Sequence, residues 1–149
     1  MRIAIGSDEN GYEMKEAIKK HLLEIGAEYE DFGCGRNEKV LYPEIANKLA
    51  VSIMEGKHER GVLICGTGLG MAITANKDPG VRAATCHDVY SAERARKSNN
   101  AQIITFGAQV IGTVLAIKLL DAWLESEFAG GRSQPKVDLM EAIDRKYRK

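Results

Sequence analysis

Gly61-Val62-Leu63-Ile64-Cys65-Gly66-Thr67-Gly68-Leu69-Gly70-Met71 decides how this chain folds. An apolar run ends in a cysteine, a glycine-rich turn follows, and a helical pattern begins. That order places a thiol at the carboxyl end of a buried strand, where open α/β sheets bind ligands. Exposed backbone N–H groups at such a turn favour negative charge, thiolate over thiol included. One short segment can therefore supply both a base and a seat for an oxyanion.

Outward from this stretch, strands and helices alternate. Strands are expected at Arg2–Ser7, Glu28–Phe32, Arg60–Cys65, Val81–Cys86 and Ala101–Phe106. Between them fall helices at Tyr12–Ile25, Pro43 to about Met54, Leu69–Asn76, Val89–Lys97 and Ile111–Phe128. Met14, Ala17, Ile18, Leu22 and Ile25 share one face of the first helix, Gly26 suits its C-cap, and Pro43 suits a first turn. Gly130-Gly131 breaks the last of these helices, and a basic segment, helical after Pro135, closes the chain. Strict alternation implies a five-stranded parallel sheet covered on both faces. Right-handed crossovers make it a Rossmann-like, doubly wound, three-layer αβα sandwich. The length fits one domain, residues 1–149.

Twenty-one basic residues balance 21 acidic ones, so no overall field draws the molecule to nucleic acid or to a membrane surface. Met1–Gly6 lacks the apolar core of a signal peptide. Cys34, Cys65 and Cys86 are too widely spaced for a disulfide framework or a CxxC metal site. The expectation is a cytoplasmic protein with free thiols and no metal or cofactor.

The glycine turn lacks the third glycine of a dinucleotide fingerprint, Met71 standing there, and no Gly-Lys-Ser/Thr follows as in a P-loop. Its three alternating glycines exceed what an ordinary strand-to-helix turn needs. Cys65 reads as a reactive thiol or as a small core hydrophobe, and spacing alone leaves both open. Asp8 lies after the first strand, either in a site or as a helix cap. His87 follows the fourth strand, where a structural hydrogen bond is the commoner role. Ser98-Asn99-Asn100 can end a helix or meet a ligand. Arg132, with Lys136, suggests a phosphate clamp.

Together these segments resemble the type B ribose-5-phosphate isomerase family, which includes the galactose-6-phosphate isomerase subunits. The resemblance is carried by Ile3-Ala4-Ile5-Gly6-Ser7-Asp8, Tyr42-Pro43, Leu63 to Met71, Ala75-Asn76-Lys77 and Val81-Arg82-Ala83-Ala84. It continues in His87-Asp88-Val89-Tyr90-Ser91-Ala92 and Gly130-Gly131-Arg132. It implies an aldose–ketose isomerase of carbohydrate metabolism and the pentose phosphate pathway, working through an enediolate on a small phosphorylated sugar. It also implies a homodimer or tetramer with sites at the dimer interface, the tail 130–149 packing on a partner subunit. Cys65 would move the proton between C1 and C2, and Thr67 would assist proton traffic between the oxygens. The N–H groups of Gly66, Gly68, Leu69 and Gly70 would hold the enediolate oxygen. Asp8 and Tyr42 would touch hydroxyls. Asn99, Arg132 and Lys136 would line the phosphate end or come from the partner.

The chain departs from the family pattern at several positions. Glu9 replaces a His, Ser98 a ring-opening His, Gln109 a phosphate-binding Arg, Ser133 another His, and Lys136 an Arg. A tetrose phosphorylated on O4 cannot close a furanose and needs no ring-opening acid. Residues 90–94 and 98–102 also resemble relatives assigned to D-erythrulose 4-phosphate. The alternatives are a subunit of a mixed galactose-6-phosphate isomerase-like oligomer and an isomerase of unphosphorylated sugars.

Overall fold

A computed structural model describes residues 1–148. Five parallel strands form one sheet: β1 (Arg2–Ser7), β2 (Glu28–Asp31), β3 (Arg60–Cys65), β4 (Ala83–Thr85) and β5 (Ile103–Gly107). Their order is β2-β1-β3-β5-β4. Six helices accompany them: α1 (Tyr12–Glu24), α2 (Tyr42–Met54), α3 (Leu69–Ala75), α4 (Val89–Lys97), α5 (Thr113–Leu124) and α6 (Gln134–Lys146). The chain winds outward in both directions from the β1–β3 pair, so their carboxyl ends frame the crevice of the fold. Ser7 pairs with Ile64 there, and Cys65 with Gly107 of β5.

Two apolar layers hold the sandwich. On one face Ile3, Ile5, Val62, Ile64, Ile104 and Phe106 meet α1, α4 and α5, with Trp123 fully buried. On the other, Ala4, Leu63, Cys65 and Ile103 meet α2 and Met71 and Ala75 of α3. Every residue of β3 and β5 is buried, as expected of central strands covered on both sides. Among the described residues, no helix is long and apolar enough to cross a membrane.

Several boundaries differ from the sequence expectation. β4 starts at Ala83 rather than Val81. The Gln102 side chain accepts the Arg82 N–H, and the Arg82 carbonyl accepts the N–H groups of Gln102 and Ile103. This local clamp replaces the start of the ladder, and β5 accordingly begins at Ile103. α5 starts only after Gly112 and stops at Leu124, four residues short of Phe128. Its end is sealed by buried Arg60, whose guanidinium donates to the carbonyls of Trp123, Leu124 and Ser126. A cation there also complements the helix dipole. The closing helix α6 rests on its own chain. Asp144 accepts the Gly80 N–H, Glu141 pairs with Arg82, and Arg148 donates to the Lys77 carbonyl. Its Leu139, Met140 and Ile143 stay exposed, as does Tyr147 just beyond its end.

Lys15, 1% exposed, joins α1 to the edge of the sheet. Its Nζ donates to Asp31 at 2.7 Å and to the Cys34 carbonyl at 2.8 Å. Burial pushes the Asp31 carboxyl up. Hydrogen bonds from Lys15, Lys19 and the Gly33 N–H outweigh that, leaving it below its ordinary value. A carboxyl depressed by folding contributes stability above its unfolded pKa of about 4, and this is lost as pH falls through the lower folded value. Asp31→Asn takes the nearer carboxylate from the buried ammonium, leaving it the Cys34 carbonyl and Glu16 at 3.7 Å. It is expected to cost about 3 kcal/mol at pH 7 in urea unfolding, with less loss on acidification from pH 5 than wild type shows.

Candidate active site

Cys65 closes β3, 5% exposed, with Sγ beneath the glycine turn. The Gly68 N–H donates to Sγ at 3.1 Å. The turn is pinned to the neighbouring strand end, because Ala108 N–H donates to the Cys65 carbonyl and Gln109 N–H to that of Gly66, both at 2.9 Å. Gly68 has φ +80°, and a Cβ there would stand 2.9 Å from the Phe106 carbonyl carbon, so only glycine fits. Gly70 is needed for a different reason. The Tyr42 ring from the start of α2 lies where its Cβ would go. Thr67 is exposed at the tip, its Oγ1 accepting the Leu69 N–H at 3.3 Å.

Asp8 both caps a helix and edges this crevice. Oδ1 accepts the N–H groups of Asn10 and Gly11, at 3.0 and 3.1 Å, and its own N–H reaches the Ile64 carbonyl. Burial raises its carboxyl above the ordinary value, against the pull of those hydrogen bonds. Glu9 reaches sideways and accepts the Val40 N–H at 3.3 Å. His87 stands behind the turn, where Nε2 accepts the Gly107 N–H at 2.9 Å. That bond puts its proton on Nδ1, and burial lowers its pKa against the opposing effect of Asp88. The three cysteines are free and buried. Burial pushes Cys86 up to about 11, with Asp88 adding to it, and raises Cys34 as well. Both stay protonated and inert at neutral pH.

The remaining expected residues lie elsewhere. Ser98, Asn99, Arg132 and Lys136 line a cavity of about 750 Å³ between α4 and the turn that precedes α6. Gly130 and Gly131, both at positive φ, set that turn. None of the residues from Cys65 to Gly70 lines this cavity. Gln109 is not there either. Its side-chain oxygen would be 2.9 Å from a Cβ on Gly66, which places it beside the thiol turn. Sequence reasoning missed Arg94 and Lys97, which also line the basic cavity. Arg94 Nε donates to Ser98 Oγ at 2.7 Å, an i,i+4 pairing on α4 that its spacing could have suggested.

Two half-sites thus emerge. One offers a thiol with backbone donors, suited to taking a proton beside a carbonyl and holding the resulting oxyanion. The other offers guanidinium and ammonium groups that suit a phosphate.

Residues 3–140 match the family described as Ribose/Galactose Isomerase. The chain is 62% identical over 148 residues to the "Ribose-5-P isomerase B" of Listeria innocua, covering 99% of this chain and 100% of that one. It is 51% identical over 139 residues to the "D-erythrulose-4-phosphate isomerase" of Pectobacterium atrosepticum, covering 93% and 91%. The solved ribose-5-phosphate isomerase B of Clostridium thermocellum superposes with a TM-score of 0.97 at 44% identity, covering 99% and 100%. The fold and site define a sugar-handling α/β enzyme. The chain belongs to the ribose/galactose isomerase family, and it is an aldose–ketose isomerase.

Proposed function

We propose that the chain is a cytoplasmic homodimeric isomerase of D-erythrulose 4-phosphate and its aldose, working without metal or cofactor. The single observation that carries the tetrose is position 98. Ser98 Oγ accepts a hydrogen bond from Arg94 Nε, and a serine hydroxyl is too weak an acid to serve as a general acid, so position 98 supplies none for opening a sugar ring. A four-carbon sugar with its O4 phosphorylated needs none. The reaction runs on the open chain. Cys65 as thiolate takes a proton from C1 of the ketose and returns it to C2. Thr67 passes the proton between O1 and O2. The N–H groups of the Gly66–Gly70 turn hold the enediolate oxygen, and Asp8 and Tyr42 meet the hydroxyls. Arg132, Lys136 and Asn99 of the second copy hold the phosphate. Arg94 adds a guanidinium at that end.

A second reading is ribose 5-phosphate, which the name of the Listeria relative favours. The half-site role in a mixed oligomer is not favoured, since one chain holds both the thiol turn and the basic cavity. Comparison of kcat/KM on one preparation separates the sugars. Erythrulose 4-phosphate is expected to exceed ribose 5-phosphate by at least tenfold, about 1.4 kcal/mol of transition-state preference. Ser98→His is expected to raise activity selectively toward the cyclic pentose, a general acid contributing ~10²-fold or more. A tenfold preference of the wild-type enzyme for ribose 5-phosphate overturns the tetrose assignment.

A further inference from the structure

We propose that Thr105, with Thr85 behind it, is a positioning residue that sets the direction of the Leu69 N–H in the reacting turn. The inference rests on the reading of that turn as the enediolate seat. Thr105 lies on β5, fully buried, and Thr85 is its register partner on β4. Their hydroxyl oxygens are 2.7 Å apart. Thr105 Oγ1 donates to the Gly68 carbonyl at 2.8 Å, and Thr85 Oγ1 lies 3.2 Å from the same oxygen. Two hydroxyl protons satisfy this triangle when Thr85 donates to Thr105 and Thr105 donates to Gly68. A chain of that kind polarises each bond in it.

The Gly68 carbonyl and the Leu69 N–H belong to one peptide group. In a trans peptide the two point in opposite directions. A carbonyl drawn down onto the sheet therefore aims the Leu69 N–H away from it, to the side where Thr67 Oγ1 now meets it. Gly68 makes the restraint necessary. At φ +80°, with no Cβ, glycine tolerates ψ near its present −15° and also near 180°. The second value turns the peptide over and withdraws the donor. The competing restraint is the Ala72 N–H on the same carbonyl, at 3.2 Å. A buried hydroxyl on a central strand is costly unless it is bonded, and here the bond falls on the turn beside Cys65.

Thr105→Val keeps the shape and removes the hydroxyl. We expect kcat to fall about 10²-fold with KM nearly unchanged, in the range for loss of one oxyanion donor. Thr105→Ser should come within a few-fold of wild type. Two binding probes read the donor directly. Glycerohydroxamate 3-phosphate, whose hydroxamate nitrogen and acyl carbon stand for C1 and C2 of the tetrose, is planar like the enediolate, whereas erythritol 4-phosphate is tetrahedral at both carbons and carries no charge on their oxygens. In Thr105→Val the Kd of the hydroxamate should rise at least tenfold while that of the alditol stays within twofold. An equal rise in both, or a folded Thr105→Val with kcat within twofold of wild type, overturns the proposal. If Thr105→Val does not fold, Thr85→Val is read on the same two probes. Its hydroxamate Kd should rise at least threefold, and an unchanged ratio of the two probes overturns the proposal. Because the probes report binding, their ratio is readable even if Cys65 proves not to be the base. Activity of Cys65→Ala tests that separately.

Discussion

Cys65→Ala abolishes turnover to within the reach of the remaining backbone donors, a loss expected to be at least ~10³-fold in kcat. The side chain is nearly enclosed, and its sulfur is the acceptor for the Gly68 N–H. Alanine leaves a small gap at the strand end and frees that N–H to the crevice, so the fold persists and thermal unfolding shifts by a few degrees at most. Deuterium from D2O should no longer enter C1 of the ketose, because no group at the end of β3 can accept the proton. Cys34→Ala and Cys86→Ala serve as controls. Both thiols are buried and held protonated, and both variants should keep activity if they fold. A folded Cys65→Ala enzyme within tenfold of wild-type turnover places the base elsewhere. Asp8 is then the next group to examine, its raised carboxyl edging the same crevice.

The alternation of apolar runs and glycine breaks made the sheet readable from sequence, because buried parallel strands must be continuous in Val, Ile and Leu. Its limits were legible where a single residue type dictates the backbone, as at Pro43 and Gly68. They were not legible where distant side chains decide. The start of β4 is set by Gln102, 20 residues away from Arg82, and the end of α5 by Arg60 of β3. The thiol turn was readable as a site because its glycines and cysteine are adjacent in sequence. The resemblance sets Gln109 where the family has a phosphate-binding Arg. Its side chain lies over Gly66, since the Cys65–Gly107 register carries the residues just after β5 onto the turn. Thr105 reads from sequence as one more β-branched strand residue. Its hydroxyl acquires a purpose only when β4 and β5 bring it under Gly68.

Mixing Cys65→Ala with Arg132→Ala, under conditions where subunits exchange, is expected to restore about a quarter of wild-type activity. The two half-sites are separate within one chain, for the basic cavity includes Arg132, Lys136 and Asn99 but no residue of the thiol turn. Apolar side chains lie exposed beside both, Leu69 and Ile73 on α3 and Leu139, Met140 and Ile143 on α6. A second copy related by a two-fold axis would cover them and bring each turn to the other chain's cavity. Arg132→Ala alone should lose about 10²-fold in kcat/KM, because a charge-assisted bond to phosphate is removed and the anion is left underpaired. In a mixed dimer one site carries both substitutions and the other carries neither. Random exchange makes about half the dimers mixed, each with one intact site of two, hence the quarter. Sites built within one chain predict the opposite result, since every chain in the mixture then holds one lesion. Demonstrated exchange without recovered activity therefore rejects the shared site, while recovery near a quarter fixes both its composition and its symmetry.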